Sequence, residues 1–341
     1  MTLTALGIDL AKSVFQLHGV DARGKTLFNK QVSRSQLLTF VAKQPQCLIG
    51  MEACSGAHFW ARRFREQGHE VKLIAPQFVK PYVKSNKNDR ADAEAICEAL
   101  TRPNMRFVSV KAITQHDLQS LHRIRERLVK GRTALINETR GLLAEYGVVL
   151  PVGKTHLREK LLGVVEAALM RGEMTSLSLE LFTQLHTEYK ELNSRIEALD
   201  KRIGSIHKNH PVSLRLEQIP GIGPITATAM VAAVADPKDF RNGRQFSAWL
   251  GLVPKQHSSG GKERLLGISK RGDGYLRKLL VHGARAVVSR VESHPESPQA
   301  NWLKELIKRR GINRAVVALA NKNARRVWVL MTHEVDFDVA A

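Results

Sequence analysis

The sequence predicts an α/β domain followed by two helical regions, and three observations indicate this division. Short runs of β-branched and apolar residues alternate with helical segments over residues 1–110. Residues 111–210 carry long helical repeats, and residues 211–341 carry shorter helices interrupted by Gly and Pro. With 341 residues, the chain is long enough for three such domains.

The first domain is predicted to begin with a meander of three strands, followed by alternating helices and strands. Ser33 or Ser35 can cap a helix after the third strand, and Ser55 with Gly56 opens the helix after the fourth. A basic segment that starts at Pro76 leads to a further helix. The predicted strands are residues 4–10, 13–20, 26–32, 46–51 and 70–75.

Four acidic residues lie in or beside these elements. Asp9 is in the first strand, where a buried carboxylate needs a partner, and Glu52 is at the carboxyl end of the fourth. Asp89 and Asp92 are three residues apart, so a helix would place them on one face about 5 to 6 Å apart at Cβ. If the first and fourth strands are neighbours, all four carboxylates converge at one sheet edge, where their repulsion favours a bound divalent cation.

Two of these features also have simpler explanations. Asp89 and Asp92 can form a solvated acidic helix start, with Arg90 as a nearby partner. Lys12 follows Asp9 closely and is a candidate phosphate contact, although a solvated lysine is the simpler reading.

The composition favours a polyanionic partner. The formal net charge is +21, from 53 Lys and Arg against 32 Asp and Glu, so nucleic acid is the leading expectation. The longest apolar run, near residues 225–235, is too short to span a bilayer, and residues 1–6 lack the features of a signal peptide. The three cysteines form no CxxC pair, which argues against a disulfide framework or a zinc site. We therefore expect a cytoplasmic protein without membrane contact.

Two long helices are predicted in residues 111–210. The first covers residues 115–146 and is rich in basic side chains, which indicates either a solvated face or a nucleic-acid surface. In the second, apolar residues recur at steps of four and three, the pattern of a coiled-coil seam. We expect this seam to form a homodimer or higher homo-oligomer, with packing against the first helix as the alternative. The seam residues are Leu185, Tyr189, Leu192, Ile196, Leu199, Ile203 and Ile206.

A helix-hairpin-helix motif is predicted at residues 216–227. Gly221 and Gly223 allow a tight turn, and the amides that open the next helix can bind a backbone phosphate. Such a contact would position DNA without reading its bases. A plain turn between packed helices is the alternative.

A pair of serines beside two glycines follows in residues 257–264. Basic neighbours suit a nucleophile that attacks a phosphodiester, because cations stabilise the developing negative charge. No His or Asp at a fixed spacing marks a base, so the residues alone also fit an ordinary loop. Asp273 is predicted to cap a helix over residues 274–290. The candidate phosphate contacts in this region are Lys262, Arg264, Lys270, Arg271 and Arg277.

Three acidic segments resemble the motifs of the DEDD transposases of the insertion-sequence one-ten family. They are residues 7–12 (Gly-Ile-Asp-Leu-Ala-Lys), 51–56 (Met-Glu-Ala-Cys-Ser-Gly) and 87–93 (Lys-Asn-Asp-Arg-Ala-Asp-Ala). Ser-Gly-Gly-Lys, followed by residues 267–273, is similar to the C-terminal motif of that family's eleven-eleven branch. The resemblance covers nearly the whole chain and implies a bacterial, nucleoid-associated protein.

The resemblance implies a ribonuclease-H-like (RuvC-like) fold for the first domain. It implies that Asp9, Glu52, Asp89 and Asp92 bind Mg²⁺ or Mn²⁺ and act in catalysis. The family's catalytic serine precedes the first glycine, which makes it Ser259 here, with Ser258 as an adjacent candidate. That serine is expected to form a transient covalent link to DNA.

The implied function is a DNA transposase or site-specific recombinase that acts on double-stranded DNA at the element ends and the target. The family also implies a structured noncoding guide RNA encoded by the element, and a DNA invertase is a variant of this function. Two alternatives remain open: a RuvC-like endonuclease without a serine step, and a non-catalytic basic DNA-binding protein. An actin-like ATPase would share the first Gly-Ile-Asp strand but would not require Asp89 and Asp92. Tyr275 has the hydroxyl of a tyrosine-recombinase nucleophile but lacks the Arg-His-Arg setting of such a site, so the serine is preferred.

Overall fold

The chain forms two compact units. The computed structural model describes residues 2–84, 88–151, 153–293 and 298–337. The first unit comprises Met1–Ile113 with Ala235–Asp239, and the second comprises Thr114–Val234 with Phe240–Ala341. The long helices and the C-terminal helices belong to the same unit. The predicted further division at residue 210 stays a prediction.

The first unit is a six-stranded mixed sheet with helices on both faces. The strands are β1 (Ala5–Asp9), β2 (Val14–Val20), β3 (Thr26–Ser33), β4 (Leu48–Glu52), β5 (Glu70–Ile74) and β6 (Phe107–Val108). The helices are α1 (Arg34–Ala42), α2 (Ala57–Glu66), α3 (Pro76–Val79) and α4 (Asp89–Leu100). An α/β N-terminal domain is therefore confirmed, while its specific likeness to RuvC stays a prediction.

The strand order is β3-β2-β1-β4-β5-β6. The first three strands are antiparallel, as expected of a meander, and β4 is parallel to both β1 and β5. The first and fourth strands are thus neighbours, which is the arrangement that the convergence of Asp9 and Glu52 requires. Strand β6 was not predicted, because two residues are too few to show a periodic pattern.

Each face of this sheet buries its own apolar cluster. Helices α1 and α2 cover one face, where Phe15, Trp60 and Phe64 pack together. Helix α4 covers the other face and contributes the buried Ile96 and Leu100. The burial of these side chains fixes α4 against the strands that carry the acidic residues.

Helices dominate the second unit. They are α5 (Ile113–Ala144), α6 (Lys154–Met170), α7 (Ser176–Lys208), α8 (Pro211–Glu217), α9 (Pro224–Ala233), α10 (Gly243–Trp249), α11 (Gly274–Val288), α12 (Pro298–Arg310) and α13 (Ile312–His333). The predicted long helices and the helix after Asp273 are confirmed. A two-stranded hairpin, β7 (Pro254–Gln256) and β8 (Leu265–Ile268), stands where a loop was expected.

Three of the seven residues in the predicted coiled-coil seam of α7 are buried within their own chain, and the other four are half-buried. Tyr189, Ile196 and Ile203 are at most 2% exposed. Helix α7 runs antiparallel to α5, since Arg125 pairs with Asp200 near one end and Arg132 Nη1 donates to Asn193 Oδ1 (2.6 Å) further along. Packing within one chain therefore accounts for the pattern, and the seam provides no argument for a dimer.

Within the described ranges, every helix is too short or too polar to cross a lipid bilayer.

Candidate metal centre and serine hairpin

Three carboxylates meet at one edge of the sheet. Asp9 is the last residue of β1, and Asp89 and Asp92 lie in the first turn of α4. Each offers a carboxylate oxygen, and these three atoms lie within 4.8 Å of one another. Asp9 and Asp92 are half-buried and Asp89 is exposed. Negative charges this close repel unless a cation is shared between them.

Glu52 lies beside this group. It is the last residue of β4, one position beyond the register pair of Ile8 with Met51, and the parallel register therefore places it next to Asp9. Burial raises the pKa of the neighbouring Cys54 thiol, and the charges of Glu52 and Asp9 raise it further. Both carboxylates thus act on the same loop, although the 4.8 Å group does not include Glu52.

A glycine in β1 allows α4 to bring its acidic residues to this edge. A Cβ atom on Gly7 would lie 2.3 Å from the carbonyl oxygen of Ala93 and 2.7 Å from the amide of Cys97. Helix backbone therefore rests directly on strand backbone, which only glycine permits. Asn88 caps the helix by accepting a hydrogen bond from the amide of Ala91 (2.8 Å).

These donors fit a hard divalent cation. The cluster offers only carboxylate oxygens, the donor type that Mg²⁺ and Mn²⁺ prefer. Lys12 is exposed in the turn after β1, where a lysine can contact a phosphate. Lys87, which opens the third acidic motif, lies outside the described residues.

Ser259 begins the turn of the β7–β8 hairpin. Gly260 and Gly261 both have left-handed backbone angles (φ +54° and +77°), and the amide of Lys262 donates to the carbonyl of Ser259 (3.0 Å). Two consecutive positive φ values define a type I′ hairpin turn, which two glycines adopt without strain. The Gly-Gly pair was a sequence signal for a hairpin, but its polar flanks lacked the alternation of a half-buried strand.

The hairpin register separates the two serines. Gln256 pairs with Leu265, His257 donates to the carbonyl of Arg264 (2.9 Å) and Ser259 pairs with Lys262. Because neighbouring residues of a strand point to opposite faces, one face carries His257, Ser259, Lys262 and Arg264. Ser258 belongs to the other face with Glu263, and its hydroxyl accepts a hydrogen bond from the amide of Arg264 (3.2 Å). His257 is a residue that the sequence reading missed.

The base of the hairpin is held by backbone contacts. Lys270 has a left-handed conformation (φ +55°) and its amide donates to the carbonyl of Gly251 (3.1 Å). Arg277 was predicted to contact phosphate, but its Nη1 donates to the carbonyls of Leu250 (3.0 Å) and Arg271 (3.1 Å). This half-buried side chain therefore supports the hairpin. Lys262, Arg264, Lys270 and Arg271 are exposed.

The turn between α8 and α9 depends on one glycine rather than two. Gly221 has φ +90°, and its carbonyl oxygen lies so close to Gly283 of α11 that a Cβ there would be 1.8 Å away. Gly223 has φ −98° and is the exposed N-cap of α9, a conformation open to other residues. The backbone of the turn therefore requires glycine at position 221 and would accept another residue at position 223. Phosphate binding by this turn stays a prediction.

Tyr275 belongs to a buried polar network in the second unit. Its hydroxyl lies 3.0 Å from His122 Nδ1, and His122 Nε2 lies 3.0 Å from the Thr228 hydroxyl. Burial lowers the pKa of His122 to about 4 and raises the pKa of Tyr275 to about 12. A phenol held in this way is a poor nucleophile, which agrees with the preference for a serine.

Family comparisons define the class of protein that this architecture represents. A model of DEDD transposases of the IS110 type, described as "Transposase", matches residues 6–148. A second model, described as "Transposase IS116/IS110/IS902 family", matches residues 213–300. The first match contains the acidic cluster and the second contains the serine hairpin. The protein is a DNA-processing enzyme of the transposase class, and the DEDD match indicates a divalent metal.

Individual relatives match along nearly the whole chain. A probable family 20 transposase of Pseudomonas aeruginosa is 50% identical, over 98% of each chain. The transposase for insertion sequence element IS1111A of Coxiella burnetii is 48% identical, over 96% of this chain and 90% of its own. The transposase for insertion sequence element IS1328 of Yersinia enterocolitica is 43% identical, over 97% of each chain. The chain belongs to the IS110 family of insertion-sequence transposases, in its IS1111 branch.

Proposed function

We propose that this transposase cuts and rejoins double-stranded DNA at insertion-sequence ends, with a carboxylate-bound divalent cation and Ser259 as nucleophile. The observation that carries the metal site is the grouping of Asp9, Asp89 and Asp92 within 4.8 Å, with Glu52 on the adjacent strand end. Mg²⁺ or Mn²⁺ held there would neutralise charge on the scissile phosphate and activate an attacking oxygen.

The serine step exchanges one phosphate ester for another. Ser259 Oγ bonds to phosphorus while one P–O bond to deoxyribose breaks, and the departing deoxyribose oxygen takes up a proton. Lys262 and Arg264, on the same hairpin face, stabilise the added negative charge. Attack by a deoxyribose hydroxyl of the second DNA end then releases the serine and rejoins the strand.

His257 is the proposed acceptor of the serine proton. It lies two residues from Ser259 on the same strand face, a spacing of about 7 Å along the strand. One water molecule can bridge that gap, which suffices for general base catalysis. His257→Gln should therefore slow formation of the DNA adduct while DNA binding is retained.

The metal proposal is tested by removing single carboxylates. Asp9→Asn and Asp92→Asn should each lower metal-dependent DNA cleavage by at least about 100-fold and weaken Mn²⁺ binding in calorimetry. Asp117→Asn, at an exposed position of α5, is the matched control and should leave both unchanged. Cleavage that survives in the first two variants, or that persists after chelation of all divalent cations, would remove the carboxylates from the reaction.

Trapping of a protein–DNA adduct separates the proposed enzyme from a RuvC-like endonuclease. An endonuclease would cleave with metal alone and leave no covalent product. A non-catalytic DNA-binding protein would show neither adduct nor cleavage. Denaturing gel electrophoresis of a reaction with end-labelled DNA distinguishes the three cases.

A noncoding guide RNA and a homo-oligomer are the partners that we propose. The net charge of +21 supports binding of polyanions, and the guide RNA that the family resemblance implies is one of them. RNA that copurifies with the full chain should map to the noncoding flank of the element, whereas random cellular RNA would oppose a guide. Two duplexes must be held together for recombination, so light scattering should give at least a dimer; a monomer on DNA would oppose this.

A further inference from the structure

The β7–β8 hairpin projects from its unit with both faces uncovered. Residues 254–267 are all exposed, including the adjacent apolar side chains Leu265 (63% exposed) and Leu266 (46% exposed). Adjacent strand residues point to opposite faces, so neither face of this ribbon packs on the described part of the second unit. The hairpin forms its own two-stranded sheet and is anchored at its base by Arg277. A partner that covered these exposed leucines would gain free energy from removing apolar surface from water.

The charge of the hairpin favours DNA as that partner. Lys255, Lys262 and Arg264 are exposed on it, against the single carboxylate of Glu263. A two-stranded ribbon fits a DNA groove, and apolar side chains that enter between base pairs are used to unstack and kink a duplex. The same element therefore combines cations for the backbone with an apolar side chain for the bases.

The register gives the position of this apolar side chain relative to the nucleophile. Leu266 is four residues beyond Lys262, the cross-strand partner of Ser259. The register shifts by one residue between the pairs Gln256–Leu265 and Pro254–Ile268, so Leu266 and Gly267 both stand opposite Lys255. Lys255 alternates with Gln256 and shares the face of His257 and Ser259, which places Leu266 on the Ser259 face. Four strand residues span about 13 Å. At about 3.4 Å per base pair, this distance corresponds to about four base steps.

We propose that the hairpin enters a groove of the DNA and that Leu266 wedges into a base step about four base pairs from the phosphodiester attacked by Ser259. The inference rests on the proposed serine function, because that function fixes where the hairpin meets the strand. The wedge bends the duplex at the reacting end and holds it in register with the nucleophile.

The experiment uses the full chain, with its copurifying nucleic acid, and duplexes of the element end that carry 2-aminopurine at successive positions. The fluorescence of this base rises when it is unstacked. The wild-type protein should raise it at one step near the cut and leave the flanking positions unchanged. Leu266→Ser should lower this increase at least threefold, while Leu177→Ser, at an exposed leucine of α7 (61% exposed), should not.

Further variants distinguish failure of the wedge from failure of the proposed function. Ser259→Ala should lose the covalent adduct but keep the fluorescence increase. If the wild type forms the adduct and no position responds, the wedge is wrong and the serine function stands. If Leu266→Ser responds like the wild type, or instead changes only the oligomeric mass in light scattering, the leucine contacts something other than DNA. Absence of both adduct and fluorescence change overturns both proposals.

Discussion

Replacement of Gly7 by alanine tests whether backbone contact between α4 and β1 sets the geometry of the proposed metal site. The new Cβ would lie 2.3 Å from the carbonyl oxygen of Ala93, whereas ordinary contact begins at 3.4 Å. Neither partner is a flexible side chain, so helix and strand must separate by about 1 Å. Asp89 and Asp92 begin that helix and Asp9 ends that strand, so the shift moves two ligands away from the third.

The expected effect follows from the tolerance of metal coordination. Ligand distances in metal sites hold to within about 0.2 Å, so a displacement of about 1 Å exceeds what the site can absorb. Gly7→Ala should therefore weaken Mn²⁺ binding at least about tenfold, and overpacking should lower the free energy of unfolding by about 1 to 3 kcal/mol. Calorimetric titration with Mn²⁺ and urea unfolding without metal measure the two quantities separately.

Gly50 is the matched control, because it is the register partner of Gly7 on β4. A Cβ there would meet Leu100 Cδ2 at 2.9 Å, the end of a side chain that can rotate. Gly50→Ala should thus lower stability while Mn²⁺ affinity stays within about twofold of the wild type. Wild-type Mn²⁺ affinity in Gly7→Ala, or an equal loss in both variants, would refute the idea that this contact positions the carboxylates.

Three further outcomes are expected. Ser259→Ala should abolish the protein–DNA adduct and Ser258→Ala should retain it; the reverse result on a denaturing gel would identify Ser258 as the nucleophile. Because burial depresses the pKa of His122 from 6.5 to about 4, the unfolded chain takes up a proton that the folded chain does not, so stability is lost as pH falls through this window. Urea unfolding should show this loss to be about 3 kcal/mol larger in the wild type than in His122→Gln, and equal losses would contradict burial of a neutral imidazole. Gly283→Ala, whose Cβ would meet the carbonyl oxygen of the α8–α9 turn at 1.8 Å, should cost about 3 kcal/mol or more in urea unfolding, whereas Gly204→Ala, with open space around it, should not destabilise.

The arrangement of the acidic cluster could be predicted because it depends on local patterns and strand order. Asp9 and Glu52 end strands that the apolar runs identify, and their adjacency follows once β1 and β4 are neighbours. Asp89 and Asp92 share a face through helical spacing alone. What the sequence did not show is how closely α4 approaches the sheet, since the role of Gly7 depends on a helix more than eighty positions away.

The seam of α7 shows why periodicity cannot identify the partner of a helix. Steps of four and three require an apolar surface on one side, and Tyr189 and Ile196 do face one. The same pattern serves packing between chains and packing within a chain. In the folded chain α7 packs on α6, α8 and α9, and the ion pair of Asp200 with Arg125 connects it to α5 as well. Only the folded chain brings these partners together.

The β7–β8 hairpin could not be predicted from a hydrophobic pattern, because residues 254–267 are all exposed. The Gly260-Gly261 pair nevertheless determines which serine faces the basic side chains, since a two-residue turn fixes which residues stand opposite each other. One more or one fewer residue in that turn would shift the pairing of the two strands by one position and place Ser258, rather than Ser259, on the face of Lys262 and Arg264, while His257 would stay on the face of Ser259. If Ser259 is the nucleophile, as proposed, the glycines select it by setting the register that brings it to the cations. An alanine inserted between Gly260 and Gly261 should then transfer any remaining adduct from Ser259 toward Ser258, as peptide mapping of the adduct would reveal.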